Sequence, residues 1–110
     1  MEEILLHQPQ EVFRALADPS RRAILLHLSK KDMTIGEVAE NFEMTRAAVK
    51  KHLTILEEGK LISVKARGRE RVNRLEPAAM KPVSEWINYF SQFWDERLTA
   101  LKNEIEKGRN

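Results

Sequence analysis

Between Met44 and Arg74 the chain sets nine basic side chains, Arg46, Lys50, Lys51, Lys60, Lys65, Arg67, Arg69, Arg71 and Arg74, against only Glu57, Glu58 and Glu70. That segment carries +6 and the remainder carries −4, so the overall +2 conceals one cationic face on a mildly acidic body. Such a face suits a polyanion. Its guanidinium and ammonium groups can neutralise phosphates, and an Arg or Lys carried on a helix can also donate to guanine O6 and N7.

Other chemistries lack their residues. Cysteine is absent, which removes disulfides, thiol redox chemistry and thiolate metal sites. His7, His27 and His52 are scattered in sequence. His27 is expected on a helix surface and His52 packed or facing phosphate, so neither metal nor cofactor is expected. No nucleophile stands beside a base, and the four glycines, Gly36, Gly59, Gly68 and Gly108, form no phosphate-cradling loop. An enzyme is therefore not expected. The N-terminus has no basic stretch followed by a long apolar run, and no apolar run reaches membrane-spanning length, which leads to an expected cytoplasmic location and no membrane partner.

The elements that must hold the basic groups can be read from periodicity and caps. Pro9 opens a first helix from Gln10 to Ala17, with Val12, Phe13, Leu16 and Ala17 on its apolar face. Asp18 caps a second, with Pro19 at its first position and Ile24, Leu25 and Leu28 inward. Thr34 and Glu37 form a capping-box pattern that starts a third, Ile35 to about Asn41, with Ile35, Val38 and Ala39 inward. Thr45 caps a fourth with Val49, Leu53 and Leu56 as its core face, and Gly59 closes it. Leu61 to Lys65 and Arg71 to Leu75 alternate as two antiparallel strands about a glycine turn. The last helix starts at Pro77 or Pro82.

In that helix Val83, Ile87, Phe90, Trp94, Leu98, Leu101 and Ile105 recur at steps of three or four, with Trp86, Tyr89 and Phe93 broadening the stripe. This is more apolar surface than four short helices can cover, and a second copy of the chain is the simplest cover. The alternatives are a helix lying across its own domain or, with Glu85, Asp95, Glu96 and Glu104 against it, a membrane-surface helix. The expected dimer contacts are Val83, Ile87, Phe90, Trp94, Leu98 and Leu101.

The expected fold is mainly α with a two-stranded β wing, a winged helix-turn-helix of four helices, a hairpin and a fifth helix. One domain is expected over residues 1–110, its C-terminal dimerisation helix spanning about 78–107. The fourth helix would enter a major groove of double-stranded DNA, presenting Thr45, Arg46, Ala47 and Lys50 to base edges, with Lys51 and Thr54 nearer the phosphates. In the wing, Arg67 and Arg69 would reach the minor groove while Lys65 and Arg71 touch the flanking backbone. The rival reading is a winged helix whose basic face docks an acidic protein.

The run ALADPSRRAILLHLSKKDMTIGEVAENFEMTRAAVKKHLTILEEGKLISVKARGRERVNRLEP resembles the ArsR-type winged helix-turn-helix transcriptional repressors. DPSRRAILLHL is similar to that family's second-helix signature, TIGEVAENFEMTRAAVKKHLTILEEGKLI to its helix-turn-helix and RGRERVNRL to its wing. The tail WINYFSQFWDERLTAL resembles the C-terminal helix of a metal-independent branch that includes a sporulation-delay autorepressor. The resemblance implies a homodimer that docks two recognition helices on an imperfect palindrome and blocks transcription, often at its own promoter. It places DNA contacts on Thr45, Arg46, Ala47, Ala48, Lys50 and His52 and on Arg67 to Arg71. The family's thiolate motif would fall near TIGEVAE, where no cysteine stands, and the last helix has acidic residues but no histidine for the family's second metal site. Where the family commonly shows Ser, Gln or Pro, and Ser along TRAAVK, this chain has Arg46, Ala47 and Lys50, which implies a higher affinity for phosphate.

Overall fold

The computed structural model describes residues 2–108. Six helices and a small sheet follow in the order α1 (Glu2–Leu6), α2 (Gln10–Leu16), α3 (Pro19–Leu28), β1 (Met33–Thr34), α4 (Ile35–Glu40), α5 (Arg46–Glu58), β2 (Ile62–Arg67), β3 (Glu70–Leu75) and α6 (Lys81–Gly108), with a 3-10 turn at Pro77–Met80. The sheet is antiparallel, ordered β1-β3-β2. The four helices, hairpin and final helix expected from periodicity are all present. Helix α1, strand β1 and the 3-10 turn are additions, and α6 starts at Lys81, between the two prolines proposed to open it.

Caps set the helix starts. Asp18 Oδ1 accepts from the backbone N–H groups of Ser20 at 2.8 Å and Arg21 at 3.2 Å. At α4 the capping box is closed from both sides: Thr34 Oγ1 accepts from the Glu37 N–H, and Glu37 Oε1 accepts from the Thr34 N–H. Helix α5 ends at Gly59, but Gly59 has an ordinary φ of −78° and the left-handed residue is Lys60, at φ 60°. Gly59 is needed for close approach, since a Cβ there would stand 3.0 Å from the carbonyl oxygen of Glu11.

The core joins Val12, Ala15, Ile24, Leu25, Leu28, Val38, Val49, Leu53, Leu56, Leu61 and Ile62. Ala15 occupies the place expected for Ala17, which is exposed at the end of α2. Val83 packs against this core, and Trp86 meets Phe13 edge-on with ring centroids 6.0 Å apart. Gln8 Nε2 donates to Glu85 Oε2 at 2.7 Å, which ties the start of α6 to the N-terminal segment. Beyond Tyr89 every described residue of α6 is exposed. The radius of gyration is 19.2 Å, against about 13 Å for a compact chain of this length. The accessible surface is 8451 Å², against roughly 6300 Å² for a compact monomer of this mass. Helix α6 leaves the body and does not lie across it.

Candidate nucleic-acid interface

Helix α5 buries Val49, Leu53 and Leu56 and turns Arg46, Ala47, Lys50, Lys51 and Thr54 to solvent. At 3.6 residues per turn these five lie within an arc of roughly 140°, Arg46 and Lys51 at its margins. Thr45 Oγ1 accepts from the Ala48 N–H at 3.1 Å, and Thr54 Oγ1 donates to the Lys50 carbonyl at 2.9 Å. Both hydroxyls therefore serve the helix while standing on its exposed side.

Arg21 fixes α5 from behind. Its Nε donates to the Ala15 carbonyl at 2.8 Å and its Nη2 to the Arg14 carbonyl at 2.9 Å, while Nη1 lies 3.4 Å from His52 Nδ1. The end of α2 is thus tied through one guanidinium to the middle of α5, and His52 is a packed residue. His27, expected on a surface, is half-buried edge-on to Phe42 with ring centroids 5.2 Å apart.

The wing pairs Val64 with Asn73, Lys65 with Val72, Ala66 with Arg71 and Arg67 with Glu70. Gly68 takes φ 64° at the first of the two turn residues, the position where a tight hairpin calls for glycine. Directly paired residues share a face, so Arg71 stands with Val64 and Asn73, whereas Lys65 and Arg67 stand on the opposite face. The five wing cations are divided: Arg69 and Arg71 line a groove facing α5, whereas Lys65, Arg67 and Arg74 stand on the opposite face.

That groove encloses about 450 Å³ between α4, α5 and the wing, and its walls carry Arg46, Lys50, Arg69 and Arg71 together with Glu57 and Glu70. The ion pairs among the described residues are Arg14 with Glu58 at 3.5 Å and Lys31 with Glu37 at 3.7 Å. No cation of α5 or the wing is neutralised in either. Among the described residues no group of three His, Asp or Glu side chains is placed to hold a metal ion, and no helix is long and apolar enough to cross a membrane.

Sequence reasoning placed the cations and missed their setting. Arg46 rests against Gly36 of α4, a contact between residues ten apart that no local pattern signals. Glu57 stands in line with Lys50, seven residues on along α5, whereas Glu70 enters the groove only because the hairpin folds back toward α5. Asn73, buried in the sheet, donates from Nδ2 to the Met33 carbonyl at 3.2 Å and so holds β1 against β3.

A helix-turn-helix domain model matches residues 16–65. The transcriptional repressor SdpR of Bacillus subtilis is 34% identical over 79 residues, covering 72% of this chain and 88% of that protein. Among solved structures, an ArsR-like transcriptional regulator from Rhodococcus sp. RHA1 superposes with a TM-score of 0.72 at 31% identity, covering 89% of this chain and 90% of that one. The homodimeric winged helix-turn-helix DNA-binding domain of Mb0332 from Mycobacterium bovis, a possible ArsR-family regulator, superposes with a TM-score of 0.61 at 26% identity, covering 86% and 84%. With its fold, its capped recognition helix, its basic wing and relatives of this extent, the chain belongs to the ArsR family of winged helix-turn-helix transcriptional regulators.

Proposed function

We propose that the protein is a homodimeric transcriptional repressor that binds an imperfect palindrome in double-stranded DNA, its own promoter included. The observation that carries this reading is the convergence of un-neutralised cations on one exposed helix and one hairpin separated by a groove. An α-helix fits a major groove and a narrow ribbon fits the neighbouring minor groove, so one such face spans a half-site. Ala47, Lys50 and Thr54, at the middle of the exposed arc, would face base edges, with Thr45 at its start and Lys51 at its margin. Arg69 at the wing tip would enter the minor groove, and Lys65, Arg67 and Arg71 would hold flanking phosphates.

The second copy is required by α6. Trp94 is 72% exposed and Leu98 60%, on the stretch of α6 beyond Tyr89 where every described residue is exposed. Ile87, Phe90, Trp94, Leu98 and Leu101 would meet their equivalents in the partner, with Val83 at the edge where the stripe joins the core. A two-fold dimer presents two recognition helices, which is the geometry an inverted repeat demands. Repression follows by occlusion of the promoter, as the name of the Bacillus subtilis relative suggests.

The test is binding to the protein's own promoter fragment and to a scrambled fragment across a salt series, with stoichiometry read in the same titration. A strong promoter preference at two chains per site is the expected result, and Lys50→Ala should erode that preference by about five- to a hundredfold. Equal, weak and steeply salt-sensitive binding to both fragments would count against the reading and favour an acidic protein partner.

A further inference from the structure

In a B-form duplex one sugar-phosphate strand separates a major groove from the adjacent minor groove, so a helix in the first and a hairpin over the second leave that strand between them. The space between α5 and the wing is the groove walled by Arg46, Lys50, Arg69 and Arg71, four cations against the two carboxylates of Glu57 and Glu70. Arg46 is exposed, but its side chain reaches from α5 toward α4. Its guanidinium lies over Gly36, where a Cβ would stand 2.8 Å from Nη2 and 3.4 Å from Cζ. Those distances fall inside the ~3.5 Å at which such atoms normally meet. The obstacle is the tip of a flexible side chain, so an added methyl group would move Arg46 and leave α4 in place. Glycine is also a poorer helix former than alanine, and the backbone of Gly36, in the first turn of α4 and without a positive φ, does not call for it.

We propose that Gly36 is a positioning residue: its missing Cβ forms a seat that holds Arg46 on the inner wall of the α5–wing groove, where Arg46 grips a backbone phosphate and reads no base. The proposal rests on the DNA-binding reading above. Position on α5 favours it, because Arg46 stands at the margin of the exposed arc, beside the stripe of Val49 and Leu53, while Ala47, Lys50 and Thr54 hold its middle. Seating also restricts a long side chain before DNA arrives, so less rotamer freedom is lost on binding.

The experiment uses Gly36→Ala, Arg46→Ala and the double variant with two duplexes: one enriched by the wild-type protein from a random-sequence pool, and its scrambled counterpart. Each single variant should weaken both duplexes by the same factor and reduce the slope of log affinity against log salt by about one. Sequence preference should persist, and the double variant should bind no worse than Arg46→Ala. In the free protein, Gly36→Ala should shift the Arg46 side-chain Nε resonance while the melting temperature holds or rises. Additive losses in the double variant, lost preference in Arg46→Ala, or an unmoved Arg46 resonance would each overturn the seat. Absence of any salt-dependent binding by the wild-type protein would instead overturn the DNA-binding reading, and the role of Gly36 with it.

Discussion

Helices α5 and α6 follow the same local code and meet opposite fates. Both carry apolar side chains at steps of three and four, yet Leu56 of α5 is fully buried while Leu98 of α6 stands 60% exposed. Helices α2, α3 and α4 and the sheet surround α5, whereas α6 leaves them after Tyr89. Periodicity therefore specifies a helix and its apolar side, and only the neighbouring elements decide whether that side is covered. The buried stripe of α5 holds one chain together; the open stripe of α6 is available to hold two.

The sharpest way to break this contrast is a pair of equal truncations. Leu56→Ala should destabilise the protein by about 3–5 kcal/mol at every protein concentration, because a fully buried leucine leaves a cavity. Leu98→Ala should cost about 2 kcal/mol per subunit where dimers form and almost nothing in dilute monomer. Urea unfolding at high and low concentration, with sedimentation to follow assembly, distinguishes them. Equal losses in dilute solution would mean that α6 is packed within its own chain.

Gly59→Ala tests how tightly the body is closed. The added Cβ would meet the Glu11 carbonyl oxygen at 3.0 Å and the Val12 Cα at 3.4 Å, and backbone cannot swing aside as Arg46 can at Gly36. A loss of about 1–2 kcal/mol is expected in chemical unfolding, with the dimer constant unchanged. A variant as stable as the wild type would show that α2 and the end of α5 are loosely joined.

The smallest effect is one of pH. Backbone N–H donation from Arg21 holds Asp18 below its ordinary 3.8, and donation from Thr34 holds Glu37 below its ordinary 4.5. Both pKa values are lowered by folding, so their contribution is fully present above the unfolded values and is lost as pH falls through the folded ones. Thermal melting should therefore decline from about pH 5 toward pH 3. Asp18→Asn, which keeps a capping oxygen without a titrating charge, should flatten the fall. An identical decline in that variant would exclude Asp18 as a source.

Much of the body was legible because its signals are local. Asp18, Thr34 with Glu37, and Thr45 mark three helix starts at the residues where the structure begins them. Gly68 marks the hairpin turn, although the strands run farther toward it than the sequence pattern indicated. What escaped depends on partners distant in sequence. Strand β1 is two residues long and exists only through its pairing with Val72 and Asn73, and α1 has five residues, too few to show a period. The division of Lys65 and Arg67 from Arg71 was present in the alternation, but it emerges only once the register is known. The pose of Arg46 over Gly36 needed the three-dimensional turn between α4 and α5.

The spacing along α6 has one more consequence. Val83, Trp94 and Ile105 stand eleven residues apart, as do Ile87 and Leu98, and Phe90 and Leu101. Eleven residues in three turns is a period of about 3.67, slightly longer than the helix's own 3.6, and a partner laid on such a stripe follows a nearly straight, faintly right-handed path. In the proposed dimer α6 then acts as a stiff rod and not as a strand of a left-handed rope. The distance and angle between the two reading heads would be cut into that rod, and inserting a single residue would turn one end against the other by about 100°.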